Sequence, residues 1–323
     1  MSISVIVPVY LSAETLPELV RRVGGALDAV TDRYEMILVN DGSPDSSWEV
    51  IEREIVGRSW LRAINLMRNY GQHNALLAGI RAARHDVIVT IDDDLQHPPE
   101  EIHKLLARLD ASTDVVYGTP LAMQHGVWRN MASRITKSAL KGAMGAEIAS
   151  RVNAFRAFRT KLRDGFVDYR SPFLSIDVLL TWSTTRFSTV EVAHSPRRIG
   201  QSNYTFRKLM THALNMMTGF STWPLQLASM IGFGFTLFGL GVLGYVIGRY
   251  LVLGYSVPGF PFLASIIAIF SGAQLFSIGI IGEYLARMHF RMMERPPYVV
   301  RSVMGVDRAV PDRPAGTQIE AGR

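Results

Sequence analysis

Two stretches of this chain, residues 225–248 and residues 260–282, contain no charged side chain. Each is longer than the roughly 20 apolar residues with which a helix crosses a hydrocarbon core of about 30 Å. In lipid the backbone must satisfy its own hydrogen bonds, so an isolated apolar run of this length folds as a helix. Residues 249–259 between the runs are few, include Pro258 and Gly259, and carry one charge, Arg249. The pattern predicts a helical hairpin whose two outer ends lie on one side of a membrane. Arg197, Arg198, Arg207 and Lys208 precede the first run, and Arg287, Arg291, Arg295 and Arg301 follow the second. An excess of Lys and Arg marks the cytoplasmic side. The expectation is a multi-pass protein of the inner or plasma membrane with its amino-terminal domain and its tail in the cytoplasm. The competing reading is a pair of buried core helices. The start, MSISVIVPVY, has no basic region ahead of its apolar run, and Glu14 soon interrupts, so a signal peptide is not expected. Gly244 and Gly248 form a GxxxG pair on the first run, suited to close packing within the hairpin or between subunits of a homo-oligomer.

The amino-terminal part is organised differently. Short β-rich runs, SVIVPVY, YEMILV, LRAINL, DVIVTI and DVVYG, alternate with helical patterns over residues 14–30, 46–56, 72–84 and 99–109. Nearly all-apolar strands alternating with helices argue for an α/β domain, a mostly parallel sheet covered on both faces. Ligands of such sheets bind beyond the carboxyl ends of the strands. The chain divides into a catalytic domain over residues 1–200, an interfacial helix over 201–223, the hairpin over 224–288, and a basic segment with a disordered tail over 289–323. The absence of cysteine excludes disulfides, thiolate nucleophiles and cysteine-ligated zinc. A net charge of +6 admits nucleic acid or an anionic membrane as partner. The basic residues lie beside the apolar runs, which favours the membrane and argues against nucleic acid. Residues 127–144, with Trp128, Met131, Ile135 and Ala139 on one helical face, and residues 203–220 both read as basic amphipathic helices. Such helices suit the membrane interface; packing on the sheet domain is the other option.

The run ending in Asp92, Asp93 and Asp94 places three like charges at the tip of a strand, a costly arrangement that a bound cation relieves. Were the segment extended, Asp92 and Asp94 would point one way and Asp93 the other. Two carboxylates with the amide of Gln96 suit Mg²⁺ or Mn²⁺, with substrate phosphates completing the shell. The alternative is a solvated acidic loop that leads into a helix at Pro98 and Pro99, with Glu100 and Glu101 in its first turn. His97 reads as a residue of that helix start. The turn NDGSPDSS ends another strand; its Asp41 suits a base or ribose, or an Asx turn capping the helix at Ser46.

Together SVIVPVY, LVNDGSPDSS, NLMRNYGQHNALLAGI, IDDDLQHPPE, WRNMAS, FRAFR, GQSNY and the paired apolar runs resemble the family 2 GT-A glycosyltransferases. The likeness covers roughly residues 3–300 and is closest to the membrane-attached branch that loads sugars onto polyprenyl phosphate. It implies a GT-A (Rossmann-like) catalytic domain and metal-dependent, inverting transfer from a nucleotide sugar to polyprenyl (undecaprenyl) phosphate. A UDP-sugar is the favoured donor, with GDP-mannose possible. The resemblance further implies that Pro8 and Tyr10 flank the nucleotide base. Asp41 then holds the base, Asp92 lies by the ribose and diphosphate, and Asp94 and Gln96, with Asp92, bind the metal. Glu14, Arg68 and Asp93 complete the donor side. Arg129 and Ser133, with Arg197 and Arg198, face the acceptor phosphate. Three places depart from the family pattern: Leu11-Ser12 stands where relatives have Asn-Glu, Asn203 stands where they have Lys, and a basic residue often found just after the fifth strand is absent near Thr119-Pro120. Two other functions are compatible: a non-catalytic nucleotide-sugar-binding membrane adaptor, and a glycan-extending synthase. The synthase would need a Gln-x-x-Arg-Trp motif and further spans.

Overall fold

The computed structural model describes residues 1–120, 152–171, 174–195, 223–254, 259–293 and 295–305. The five expected strands are β1 (Ile3–Val9), β2 (Tyr34–Asn40), β3 (Leu61–Leu66), β4 (Val87–Thr90) and β5 (Val115–Pro120). The helices between them are α1 (Leu16–Asp28), α2 (Ser47–Ile55), α3 (Gln72–Ala82) and α4 (Ile102–Arg108). A single 3-10 turn, Pro99–Glu101, leads into α4, with Pro98 immediately ahead of it. The two prolines thus mark a helix start, as their spacing predicts. Proline suits a first turn because the N–H it lacks has no partner there.

Three further strands and one helix lie outside the sequence expectation: β6 (Arg156–Arg159), α5 (Ile176–Ser183), β7 (Phe187–Val192) and β8 (Val300–Met304). All eight strands form one sheet in the order β7-β5-β6-β4-β1-β2-β3-β8. β6 runs antiparallel to β4 and β5, and β8 antiparallel to β3, so the sheet is mixed around a parallel centre. β8 lies beyond the apolar runs, so the catalytic sheet draws its last edge strand from the segment assigned to a basic carboxyl-terminal extension. Its signal is hidden because only Val300, Val303 and Met304 are apolar and all five residues keep some exposure, as on a sheet edge.

Strand alternation divides the core into two layers. Ile3, Val5, Val7 and Val9 pack with Leu19, Val23, Ile51 and Leu105 of α1, α2 and α4. Ile6, Ile37 and Val39 face the other way, onto Leu76, Ile80 and Leu179 of α3 and α5. α3 approaches closely because residue 79 is glycine; a Cβ there would collide with the Ile6 side chain.

The uncharged runs form α6 (Trp223–Leu253) and α7 (Phe260–Met292). Two windows, Leu225–Val252 and Ile269–Ala286, are long and apolar enough to cross a membrane, with mean hydropathies of 2.0 and 1.3, and neither is buried in the protein. The reading of these runs as buried core helices therefore fails. Phe235 and Phe270 meet edge to face at 5.6 Å, and Gly239 lies against Phe270. Among the described residues nothing lies within 4 Å of where a Cβ on Gly244 or Gly248 would stand. The amphipathic residues 127–144 and 203–220, and the tail beyond Gly305, lie outside the described residues.

Candidate active site

From β1 the chain steps outward through β2 to β3, whereas β4 returns to the opposite side of β1. A crevice opens at the carboxyl ends of strands where the order reverses in this way. Its walls can be traced in the register. β4 last pairs with β1 at Ile6↔Thr90, while β1 continues to Val9 along β2 alone. The Ile6 carbonyl accepts the Ile91 N–H at 3.2 Å, so the Ile6 backbone faces β4. Pro8, two residues on, faces the same way into the gap, where its missing N–H leaves no ladder bond unmade.

The acidic run does not continue the strand. β4 stops at Thr90, Asp93 and Asp94 lie in a turn, and Leu95 has a φ of 58°. Asp92 and Asp94 therefore do not share one face of a strand, contrary to the expectation for an extended segment; the turn directs each carboxylate separately. Asp92 Oδ1 accepts the Gln72 side-chain amide at 2.6 Å. Asp93 Oδ2 reaches across to the loop after β1, accepting the Tyr10 N–H at 3.0 Å and the Ser12 hydroxyl. Asp94 Oδ1 accepts the Gln96 N–H at 3.1 Å. On the opposite lip Leu11 also has a φ of 58°. Such conformations are uncommon for residues other than glycine and persist where surroundings enforce them. Ser12 thus ties the two lips together through Asp93.

Asp41 at the end of β2 is almost wholly buried. Its two oxygens accept the N–H groups of Tyr70 and Gly71 at 2.7 and 2.8 Å. Burial raises its pKa above the ordinary carboxylate value, against the effect of those bonds. Asp93 is likewise raised, by burial first, with Ser12 and Tyr10 opposing. Asp41 does not cap the following helix. Asp45, one residue ahead of the N-cap Ser46, accepts the first helical N–H, that of Ser47, at 3.1 Å and the Ser43 hydroxyl at 2.5 Å.

Tyr10, Glu14 and Arg68 are exposed at this edge, and the Arg68 guanidinium lies 4.6 Å over the Tyr70 ring. Glu100 and Glu101 are engaged elsewhere, with Arg22 at 2.6 Å and Lys104 at 2.7 Å. His97 is buried, stacked on Phe155 and edge-on to His194, and burial lowers its pKa to about 4. Arg129, Ser133, Arg197, Arg198 and Asn203 lie outside the described residues.

One group beneath the site is absent from the sequence expectation. Arg156, inside FRAFR, is completely buried. It pairs with Asp177 of α5 and donates to Thr90 Oγ1 at 3.1 Å, and Asp177 also accepts the Tyr117 hydroxyl at 3.0 Å. Burial opposes the charge of Arg156, but Asp177 and, further off, Asp92 hold its pKa above the ordinary value. The signal that could have found it is an arginine set between apolar residues of a short strand.

The donor set bears on a metal. Among the described residues no three of His, Asp and Glu are grouped to hold an ion by themselves. Asp92, Asp94 and Gln96 would supply two carboxylates and an amide from one short turn. This fits Mg²⁺ or Mn²⁺ held jointly with substrate phosphates and not a closed protein cage.

A mixed sheet with a parallel centre, a switch point between β1 and β4 and acidic lips there define a GT-A-like fold. Consistent with that, a solved glucosyl-3-phosphoglycerate synthase from Mycobacterium tuberculosis, in complex with Mn²⁺, uridine diphosphate and phosphoglyceric acid, superposes with a TM-score of 0.51. It is 15% identical and covers 67% of this chain and 76% of its own, a likeness of fold. The family model described as glycosyl transferase family 2 matches residues 4–166. The undecaprenyl-phosphate 4-deoxy-4-formamido-L-arabinose transferase of Proteus mirabilis (strain HI4320) is 34% identical over 310 residues, 95% of each chain. The enzyme of that name from Serratia proteamaculans (strain 568) is 35% identical over 308 residues, 94% of each. The chain belongs to glycosyl transferase family 2 and is a glycosyltransferase.

Proposed function

We propose that this glycosyltransferase is membrane-anchored and metal-dependent, and transfers a sugar with inversion from a nucleotide sugar to undecaprenyl phosphate or a related polyprenyl phosphate. A UDP-sugar is the preferred donor. The names of the relatives support the lipid acceptor.

The observation that carries the reading is one of connectivity. β7 runs parallel to β5 and ends at the carboxyl edge; just beyond it the Ser195 N–H donates to the Gln96 carbonyl at 2.8 Å. β8 enters the sheet at that same edge, with Val300 opposite Leu66 at the end of β3. The chain therefore leaves for the apolar helices and returns from them on the edge that holds Tyr10, Asp41 and the acidic turn. That arrangement supports an active edge turned toward the bilayer with the hairpin across it, and the Lys and Arg residues flanking the apolar runs support a cytoplasmic catalytic domain.

In this reading Pro8 and Tyr10 line the base side, Asp41 holds the base, and Arg68 closes that end. Asp92, Asp94 and Gln96 hold the ion with the diphosphate. When bound, the ion supplies Lewis-acid stabilisation of the leaving nucleoside diphosphate. Arg129, Ser133, Arg197 and Arg198 orient the acceptor phosphate. A phosphate monoester with a second pKa of roughly 6 is already anionic, so no side chain need remove a proton from it. What the protein must then supply above all is alignment of the acceptor oxygen with the anomeric carbon.

The test uses full-length protein in lipid, Mn²⁺ or Mg²⁺, undecaprenyl phosphate and a donor panel. The panel contains UDP-linked 4-deoxy-4-formamido-L-arabinose, UDP-glucose and GDP-mannose, with mass analysis of extracted lipid. A lipid-linked sugar is expected from one donor, dependent on the metal. Donor binding with no product from any donor would sink the proposal. Arg129→Ala should raise the acceptor KM more than the donor KM; equal effects would remove Arg129 from the acceptor site.

A further inference from the structure

The turn Tyr70-Gly71-Gln72 at the start of α3 touches both functional aspartates at once. The Tyr70 and Gly71 N–H groups occupy the two oxygens of Asp41. The Gln72 side chain, next in sequence, donates to Asp92 at 2.6 Å. Asp41 ends β2 and Asp92 follows β4, with β1 between them. The Asp41 N–H on the Val9 carbonyl and the Ile91 N–H on the Ile6 carbonyl hold the two backbones to β1, and this turn spans the two side chains. The span needs an unusual backbone. Gly71 has φ 93° and ψ 151°, a region open essentially to glycine alone. In that conformation its N–H is turned onto Asp41 while the next residue opens the helix toward Asp92. α3 is itself immobilised on the sheet by Ala75, Leu76, Leu77 and Ile80, all buried.

We propose that Gln72 is a positioning residue for sugar transfer. It fixes the Asp92 carboxylate against the donor diphosphate, and with Gly71 sets the distance between the base-holding and diphosphate-holding aspartates. The inference rests on the roles of Asp41 and Asp92 proposed above. A neutral amide suits this role, because it orients Asp92 by a charge-assisted hydrogen bond and leaves the carboxylate its charge for the ion. An arginine or lysine in its place would compete with that ion.

The experiment measures UDP binding in the presence of Mn²⁺ by calorimetry, on the full chain in detergent. The variants are Gln72→Ala, Asp92→Asn and the two combined. Gln72→Ala should weaken UDP–Mn²⁺ binding by about tenfold. In the Asp92→Asn background the same change should cost less than about twofold, because a residue acting through Asp92 has nothing further to lose. Equal losses in both backgrounds, or no loss in the first, would overturn the proposal. If Asp92→Asn alone left UDP–Mn²⁺ binding intact, the assigned role of Asp92 would fail instead, so the two failures are distinguishable. Gln72→Glu adds a readout that a packing role would not move. Its carboxyl group donates to Asp92 only when protonated, so its binding relative to the parent should recover as the pH is lowered. A flat ratio would count against the proposal.

Discussion

At the amino edge of the sheet, carboxylates meet cations. Glu35 accepts from Arg62 at 2.6 Å, with the Ser4 hydroxyl at 2.7 Å beside it, and Asp114 accepts from Arg186 at 2.7 Å and lies 3.4 Å from Arg159. At the carboxyl edge the cations go to Asp177, Glu100 and Glu101, and three aspartates of the candidate site meet neutral donors: the Tyr70 and Gly71 N–H groups on Asp41, the Gln72 amide on Asp92, and the Tyr10 N–H and Ser12 hydroxyl on Asp93. Both edges bury acidic groups, yet only the first arrangement neutralises them in place. Neutral donors orient a carboxylate and leave its charge available, which is what a site for a cation and a diphosphate requires. The ion pairs at the amino edge suit a structural role, and the neutral donors at the carboxyl edge suit the proposed site.

The largest effect separating the edges should come from Asp94→Ala. Turnover to lipid-linked sugar should fall by about a thousandfold or more, with the thermal midpoint within about 2 °C of the parent. Unchanged turnover would remove Asp94 from the site. Next, Arg62→Ala leaves Glu35 buried without its cation and should lower unfolding stability by about 3–5 kcal/mol. Denaturant titration measures this; a loss below about 1 kcal/mol, or a changed donor KM in the remaining folded protein, would blur the distinction between the edges.

A smaller effect should appear in acid. Hydrogen bonding from Arg186, against the cost of burial, lowers the pKa of Asp114 from 3.8 to about 2. The unfolded chain therefore takes up this proton at a higher pH than the folded one. The stabilisation is complete above the ordinary value and disappears as the pH falls through about 2. Arg186→Ala should flatten that acid limb, and an unchanged pH profile of the thermal midpoint would refute the pairing.

The smallest effect has the opposite sign. The pKa of Asp93 is raised, so its contribution is present below the ordinary carboxylate value and is lost as the pH rises through the folded value. Both of its acceptor bonds go to one oxygen, which asparagine can reproduce. Asp93→Asn should raise the thermal midpoint at neutral pH by about 2–4 °C. A fall would mean that the charge itself holds the lips of the crevice together.

Much of the parallel centre of the sheet is legible in the chain, because buried strands there are continuous apolar runs and the helices between them carry a regular stripe. β6 is not legible: four residues bounded by Arg156 and Arg159 look polar, and only the buried pairing with Asp177 explains the first arginine. β8 escapes a sequence reading because it belongs to the sheet although two apolar helices separate it from every other strand. The acidic turn is visible in composition, but its geometry is not. An extended strand through Asp94 is the natural extrapolation, whereas the backbone turns at Asp93 and Leu95 takes a positive φ.

Sequence alone determined the two uncharged helices, the α/β alternation and the presence of an acidic tip, because periodicity and desolvation act on neighbours along the chain. Only the tertiary structure decided which donors hold each aspartate. Gln72 lies twenty residues from Asp92, and Ser12 eighty-one from Asp93. No local pattern encodes such meetings; they follow from the strand order and from where each strand ends.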